Sequence, residues 1–228
     1  MDSEHSARLT IQVNDDCSVS ALLQRPAHAR ACYVLAHGAG AGMTHAFMAS
    51  AAQGLADRGI ATLRYQFPFM ERGSKRPDSP ALAQASVRAA VAQAAQSCAG
   101  LPLFAGGKSF GGRMTSAAQA ATPLPGVRGL VFLGFPLHPA GTPSRERAKH
   151  LVDVQCPMLF LQGTRDELAD EALIRQVVGE LGPRATLEAV PHADHSFHVP
   201  ARSGLKDAQV LGDMLDVVAR WVDHIIAR

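Results

Sequence analysis

The chain has 228 residues, enough for one domain with a sizeable core and too few for two comfortable ones. Apolar residues make up 47% and charged residues 18%, a balance that excludes a disordered chain. A formal net charge of +2 gives no electrostatic case for nucleic acid or an anionic membrane, and no uncharged run reaches the ~20 apolar residues of a membrane span.

The opening MDSEHSARLT has no basic-then-apolar run, so no signal peptide is expected. RLTIQV (8–13) and VSALLQ (19–24), linked by turn-rich NDDCS, predict an antiparallel hairpin. CYVLAH (32–37) is a continuous apolar run, the pattern of a strand buried on both faces. A helix over 44–59 follows and stops at Gly59, then the strand IATLRY (60–65). Alanine-rich SPALAQASVRAAVAQAAQ (79–96) reads as a helix capped by Ser79, with Pro80 in its first position. LPLFAGG (101–107) is a strand running straight into the helix SFGGRMTSAAQAA (109–121). VRGLVFLGF (127–135) and PMLFLQG (157–163) are further strands. The intervening stretch has room for a loop and one short helix, not a cap domain. A helix over 170–181, the strand TLEAV (186–190) and a closing helix over 205–228 complete the chain. In the last helix Leu211, Leu215, Val218, Val222 and Ile225 form one apolar face. Repeated strand–helix–strand units demand an α/β fold. Its sheet is mostly parallel with helices on both faces, the hairpin adds an antiparallel N-terminal edge, and the whole is a single domain over 1–228.

GGKSFGG (106–112) parses in two ways. As the end of a phosphate loop, G-x-x-x-x-G-K-[ST], it would need glycine at 102, which is Pro102. The residues that would cradle phosphate are an apolar strand whose N–H groups are spent in a sheet. As G-x-S-x-G it is a strand-to-helix turn presenting Ser109, with Gly107 and Gly111 small enough for the turn to close. That turn needs an acid and then a histidine later in the chain. Asp166 follows the strand ending at Gly163, with Glu167 as competitor. His195 follows the strand ending at Val190, with His192 and His198 as alternatives. Two N–H groups for an oxyanion would come from Phe110, next to the nucleophile, and Ala39, in the small-residue loop HGAGAG (37–42), with Gly40 as alternate. Gly40, Lys108 and His138 beside these loops, and Arg72 in a basic stretch with Lys75 and Arg76, are candidates for substrate contact. Cys17, Cys32, Cys98 and Cys156 are widely spaced and form no C-x-x-C. Reduced thiols of a cytoplasmic protein are expected, with no metal and no disulfide framework.

HGAG (37–40), FPFMERGSKRPD (67–78), GGKSFGGRM (106–114), QGTRDE (162–167) and ADHSF (193–197) together resemble a branch of the small, lidless α/β-hydrolases of the dienelactone-hydrolase-like kind, over nearly the whole chain. The resemblance implies the α/β-hydrolase fold, a Ser109–Asp166–His195 triad, a small-molecule acyl substrate and no cofactor. Dienelactone hydrolases proper use cysteine as nucleophile. Serine at 109 therefore puts ester or thioester cleavage ahead of lactone opening. The alternative is a hydrolase-fold interaction module without turnover.

Overall fold

A computed structural model describes residues 6–228. Residues 1–5, part of the opening stretch read for a leader, lie outside the described residues. Eight strands form one sheet in the order β1-β2-β4-β3-β5-β6-β7-β8. The hairpin β1 (Ala7–Asn14) and β2 (Cys17–Gln24) forms one edge, and β2 also runs antiparallel to β4 (Ile60–Tyr65). From β4 through β3 (Ala31–Ala36), β5 (Leu103–Lys108), β6 (Val127–Leu133), β7 (Met158–Gly163) and β8 (Ala185–Val190) every pairing is parallel. The mostly parallel sheet with its antiparallel N-terminal edge is as expected.

Sequence pattern follows position in the sheet. Every residue of β3, β4 and β7 is buried, as befits central strands covered on both faces, and the polar Thr62, Arg64 and Gln162 are buried with the rest. The edge strand β1 buries only Ile11. One face is covered by α1 (Ala46–Ala56) and α6 (Asp207–Ile226), whose Met48, Leu55, Val218 and Val222 meet Tyr33, Leu35 and Leu159 of the sheet. The other face is covered by α3 (Pro80–Ser97), α4 (Phe110–Ala121) and α5 (Glu171–Leu181), whose Val87, Met114 and Ile174 join Val34, Phe132 and Phe160. Each such fully buried aliphatic side chain contributes about 1.5–3 kcal/mol.

Ser79 caps α3 by accepting the Leu82 N–H at 3.4 Å, with Pro80 in the first turn. Trp221 of α6 packs edge-on against Phe104. The closing helix is shorter than expected, and Leu211 is only partly buried while Val210 and Met214 join the buried face. Other boundaries also differ from the sequence reading: α1 spans Ala46–Ala56 instead of 44–59, and β5 spans Leu103–Lys108 instead of 101–107. β6 ends at Leu133 instead of 135, because Gly134 takes φ +73°. A short helix, α2 (Pro68–Glu71), occupies part of the basic stretch read as loop. Between β6 and β7 the chain makes only loop and the 3-10 turns Glu146–Asp153, and no cap domain covers the sheet. Among the described residues no helix is long and apolar enough to cross a membrane.

Candidate active site

The C-terminal ends of the parallel strands converge on Ser109. β5 delivers it directly, and α4 begins at the next residue. Its backbone sits at φ 49°, ψ −115°, a region that costs a side-chain-bearing residue about 1–3 kcal/mol. The surroundings hold it there. Its N–H donates to Leu133 O at 3.2 Å, and its carbonyl accepts from Arg113 N–H at 3.1 Å in the first turn of α4. The turn passes so close to β3 that a Cβ on Gly107 would stand 2.1 Å from Ala36 O, and one on Gly111 would stand 2.6 Å from His37 O. The glycines of the motif are thus required by close approach of backbone to backbone.

His195 Nε2 lies 2.8 Å from Ser109 Oγ, and His195 Nδ1 lies 2.7 Å from Asp166 Oδ2. The Asp166 carboxylate is sealed, its side chain 0% exposed against 20% for His195. Oδ2 also accepts from Gln162 Nε2 at 2.6 Å, and Oδ1 accepts from Leu168 N–H at 2.8 Å. With Oδ2 as acceptor, the imidazole carries its proton on Nδ1 and offers the Nε2 lone pair to the serine hydroxyl. Glu167 is exposed. The loop after β8 is a set of turns around Asp194, whose Oδ1 accepts from the N–H groups of Ser196 at 2.8 Å and His198 at 3.0 Å. His192 and His198 both point to the surface. The ring of His198 pairs with Asp207 at 2.8 Å, and that carboxylate raises the His198 pKa through the hydrogen bond and its charge.

Ser109 and His195 open into a cavity of about 430 Å³ whose walls include Ala39, Gly40, Phe47, Met48, Lys108 and Leu168. A larger cleft of about 680 Å³ runs between α1 and α6 and contains neither Ser109 nor His195. Phe110, the first residue of α4, has an N–H with no acceptor inside the helix, and Ala39 lies across the cavity on the loop after β3.

That loop is braced from the end of β4 and the residues just after it, through contacts the sequence reading did not contain. His37 is fully buried. Its Nδ1 donates to Gly38 O at 2.7 Å and its Nε2 accepts the Phe67 N–H at 2.9 Å. Burial lowers its pKa, against the pull of its backbone hydrogen bonds, so it stays neutral. Gln66 Oε1 accepts the Met43 N–H at 2.9 Å, and Arg64 Nη1 donates to Met43 O at 3.2 Å. Gln162, which holds both Asp166 and the Phe135 N–H at 2.9 Å, was also missed. Its one signal was an amide near the end of an otherwise apolar strand.

Of the candidates for substrate contact, Gly40 and Lys108 line the cavity and two residues do not. His138 is buried with both ring nitrogens engaged, Nδ1 with Pro139 O at 2.9 Å and Nε2 with Asp170 N–H at 3.0 Å. Arg72 is turned to Asp78 at 2.7 Å. Among the described residues no group of three or more His, Cys, Asp or Glu side chains could hold a metal.

A family model described as an alpha/beta hydrolase domain matches residues 29–223. Several solved structures share the fold. A dienelactone hydrolase from Anabaena variabilis superposes with TM-score 0.77 at 19% identity, covering 96% of this chain and 97% of that one. An α/β serine hydrolase without lid from Xanthomonas campestris gives 0.74 at 24% identity, covering 96% of each chain. Est1E from Butyrivibrio proteoclasticus gives 0.72 at 16% identity, covering 98% of this chain and 100% of that one.

Proposed function

Because the chain belongs to the alpha/beta hydrolase domain family, we propose that it is a single-domain serine hydrolase that cleaves carboxylic esters or thioesters through Ser109, His195 and Asp166. One observation carries this reading: the unbroken hydrogen-bonded line from a sealed carboxylate, through an imidazole, to a serine in a strained turn at the floor of an open cavity.

The chemistry follows from the donors and acceptors. His195 Nε2 takes the Ser109 proton as Oγ attacks the substrate carbonyl carbon. Asp166 keeps the other ring proton on Nδ1 and stabilises the imidazolium. The carbonyl oxygen becomes an oxyanion, held by the N–H groups of Phe110 and Ala39. Collapse of the tetrahedral adduct expels the alkoxide or thiolate, which takes the proton from Nε2 and leaves an ester on Ser109. Water, deprotonated by the same nitrogen, then attacks that ester. The acid departs and Ser109 recovers its proton. Preference for the Ser109 chemistry over a non-catalytic module rests on these groups being mutually satisfied.

A panel of short-chain nitrophenyl esters, thioesters and lactones tests it. Turnover is expected with the esters or thioesters, and it should vanish in Ser109→Ala and in His195→Ala. Activity that persists in both variants belongs to a contaminant, and the module reading then stands.

A further inference from the structure

We propose that Lys108 is a positioning residue whose ammonium ties the His195 loop to the nucleophile turn and so sets where the imidazole stands over Ser109. The proposal rests on the serine-hydrolase reading and adds a residue to it. Lys108 ends β5 and immediately precedes the nucleophile, yet its Nζ donates to the backbone carbonyl of His195 at 2.5 Å. One residue thus sits next to the nucleophile in the chain and holds the base through space.

The surroundings are shaped for this reach. The Nζ stands 5.2 Å from the centre of the Phe197 ring, a cation over an aromatic face on the same loop. A Cβ placed on Gly134 would lie 3.1 Å from that Nζ and 3.6 Å from His195 Cε1, so the site leaves a side-chain-free gap where lysine and imidazole pass. The Lys108 stem runs past Gly38, whose Cβ would lie 3.7 Å from Lys108 Cγ. Lys108 lines the cavity, yet its Nζ is engaged by the carbonyl of the base.

The groups that titrate or carry charge around it are His195, Asp166 and Asp194. Burial lowers the Lys108 pKa to about 8, with the two carboxylates opposing the fall. Below that pH the bond to His195 O is charge-assisted. Above it the amine is neutral and the bond weakens.

The test is the rate of fluorophosphonate labelling of Ser109 together with kcat and KM on a neutral ester, for the full chain and for Lys108→Met, which keeps the stem and removes the donor. Labelling and kcat are expected to fall about 10²-fold, the scale of a ~1 Å displacement of a catalytic group. KM should stay within about threefold, since no ground-state contact is lost. The wild-type labelling rate should fall as pH rises through about 8, and that fall should be missing from the variant. Lys108→Gln, polar but too short to reach His195 O, serves as a second variant should the first fail to fold. The wild-type pH profile stands without either. Full-rate labelling by the variants, or a raised KM with unchanged kcat, overturns the positioning role. Folded wild type that takes no label overturns the serine-hydrolase reading instead, so the two failures are distinct.

Discussion

The strands that flank β3 lead to two basic residues, Lys108 at the last position of β5 and Arg72 after the short helix α2 that follows β4, and the two cations do different things. At the end of β5, Lys108 is drawn inward to the His195 carbonyl at 2.5 Å. Beyond β4, Arg72 is drawn outward to Asp78 at 2.7 Å, and its side chain remains 58% exposed. Asp78 is already committed, since its other oxygen accepts the Phe69 N–H at 2.8 Å and closes the turn around α2. A cation near a strand end is therefore no guide to substrate contact. What decides its role is whether a local acceptor claims it first and on which side of the cavity rim that acceptor lies.

The contrast can be tested by breaking each region in turn. The largest effect is expected on the Lys108 side, at the acid. Asp166→Asn should lower kcat by about 10⁴-fold with the far-UV spectrum unchanged, because an amide donor in place of the carboxylate holds the wrong imidazole tautomer. Glu167→Gln, on an exposed neighbour, should leave kcat intact, and the reverse pattern would assign the acid to Glu167.

Gly107→Ala comes next. Its methyl would stand 2.1 Å from Ala36 O at a φ of +144°, so urea unfolding should show a loss of at least about 4 kcal/mol. Wild-type stability in this variant would mean that the turn after β5 is looser than described.

The brace between β4 and the loop after β3 is a smaller lever. Gln66→Ala removes the acceptor of the Met43 N–H. Loss of the acceptor should cost about 1–3 kcal/mol and loosen the Ala39 donor, lowering kcat roughly tenfold with KM little changed. An unchanged kcat would detach that loop from oxyanion binding.

The smallest effect belongs to the other side of the comparison. Arg72→Ala should change kcat/KM less than about twofold and stability by no more than ~0.5 kcal/mol. A tenfold loss with an anionic ester, but not with a neutral one, would mean that Arg72 leaves Asp78 to meet substrate and would undo the contrast.

Much of this was legible in the sequence, and the physical reason is locality. Mainly apolar runs mark β3 and β7, and a serine and a proline mark the start of α3, because those patterns express burial and capping within a few residues. The turn at Ser109 was readable because its glycines sit at fixed offsets from the serine, although the backbone that requires them belongs to Ala36 and His37 at the end of β3. The candidates Asp166 and His195 were nominated by their place after strand ends, and the structure brings both to Ser109. What escaped was set by distant partners. His37 is kept neutral by burial and its Nε2 accepts the N–H of Phe67, 30 positions away in the chain, and Gln162 matters because it bridges Phe135 and Asp166. His138 followed a strand end as His195 does. Its ring is consumed by Pro139 and Asp170, which no periodicity reveals. The segment 67–78 was read as loop since α2 is a single turn, too short to leave a helical pattern.

The most direct measurement is mass-spectrometric mapping of a fluorophosphonate adduct on the purified protein. The adduct is expected on the peptide containing Ser109, at one equivalent per chain, lost in Ser109→Ala and strongly slowed in His195→Ala. Folded protein that carries no adduct, or carries it on another serine at the wild-type rate in both variants, would contradict the assignment of Ser109 as the nucleophile.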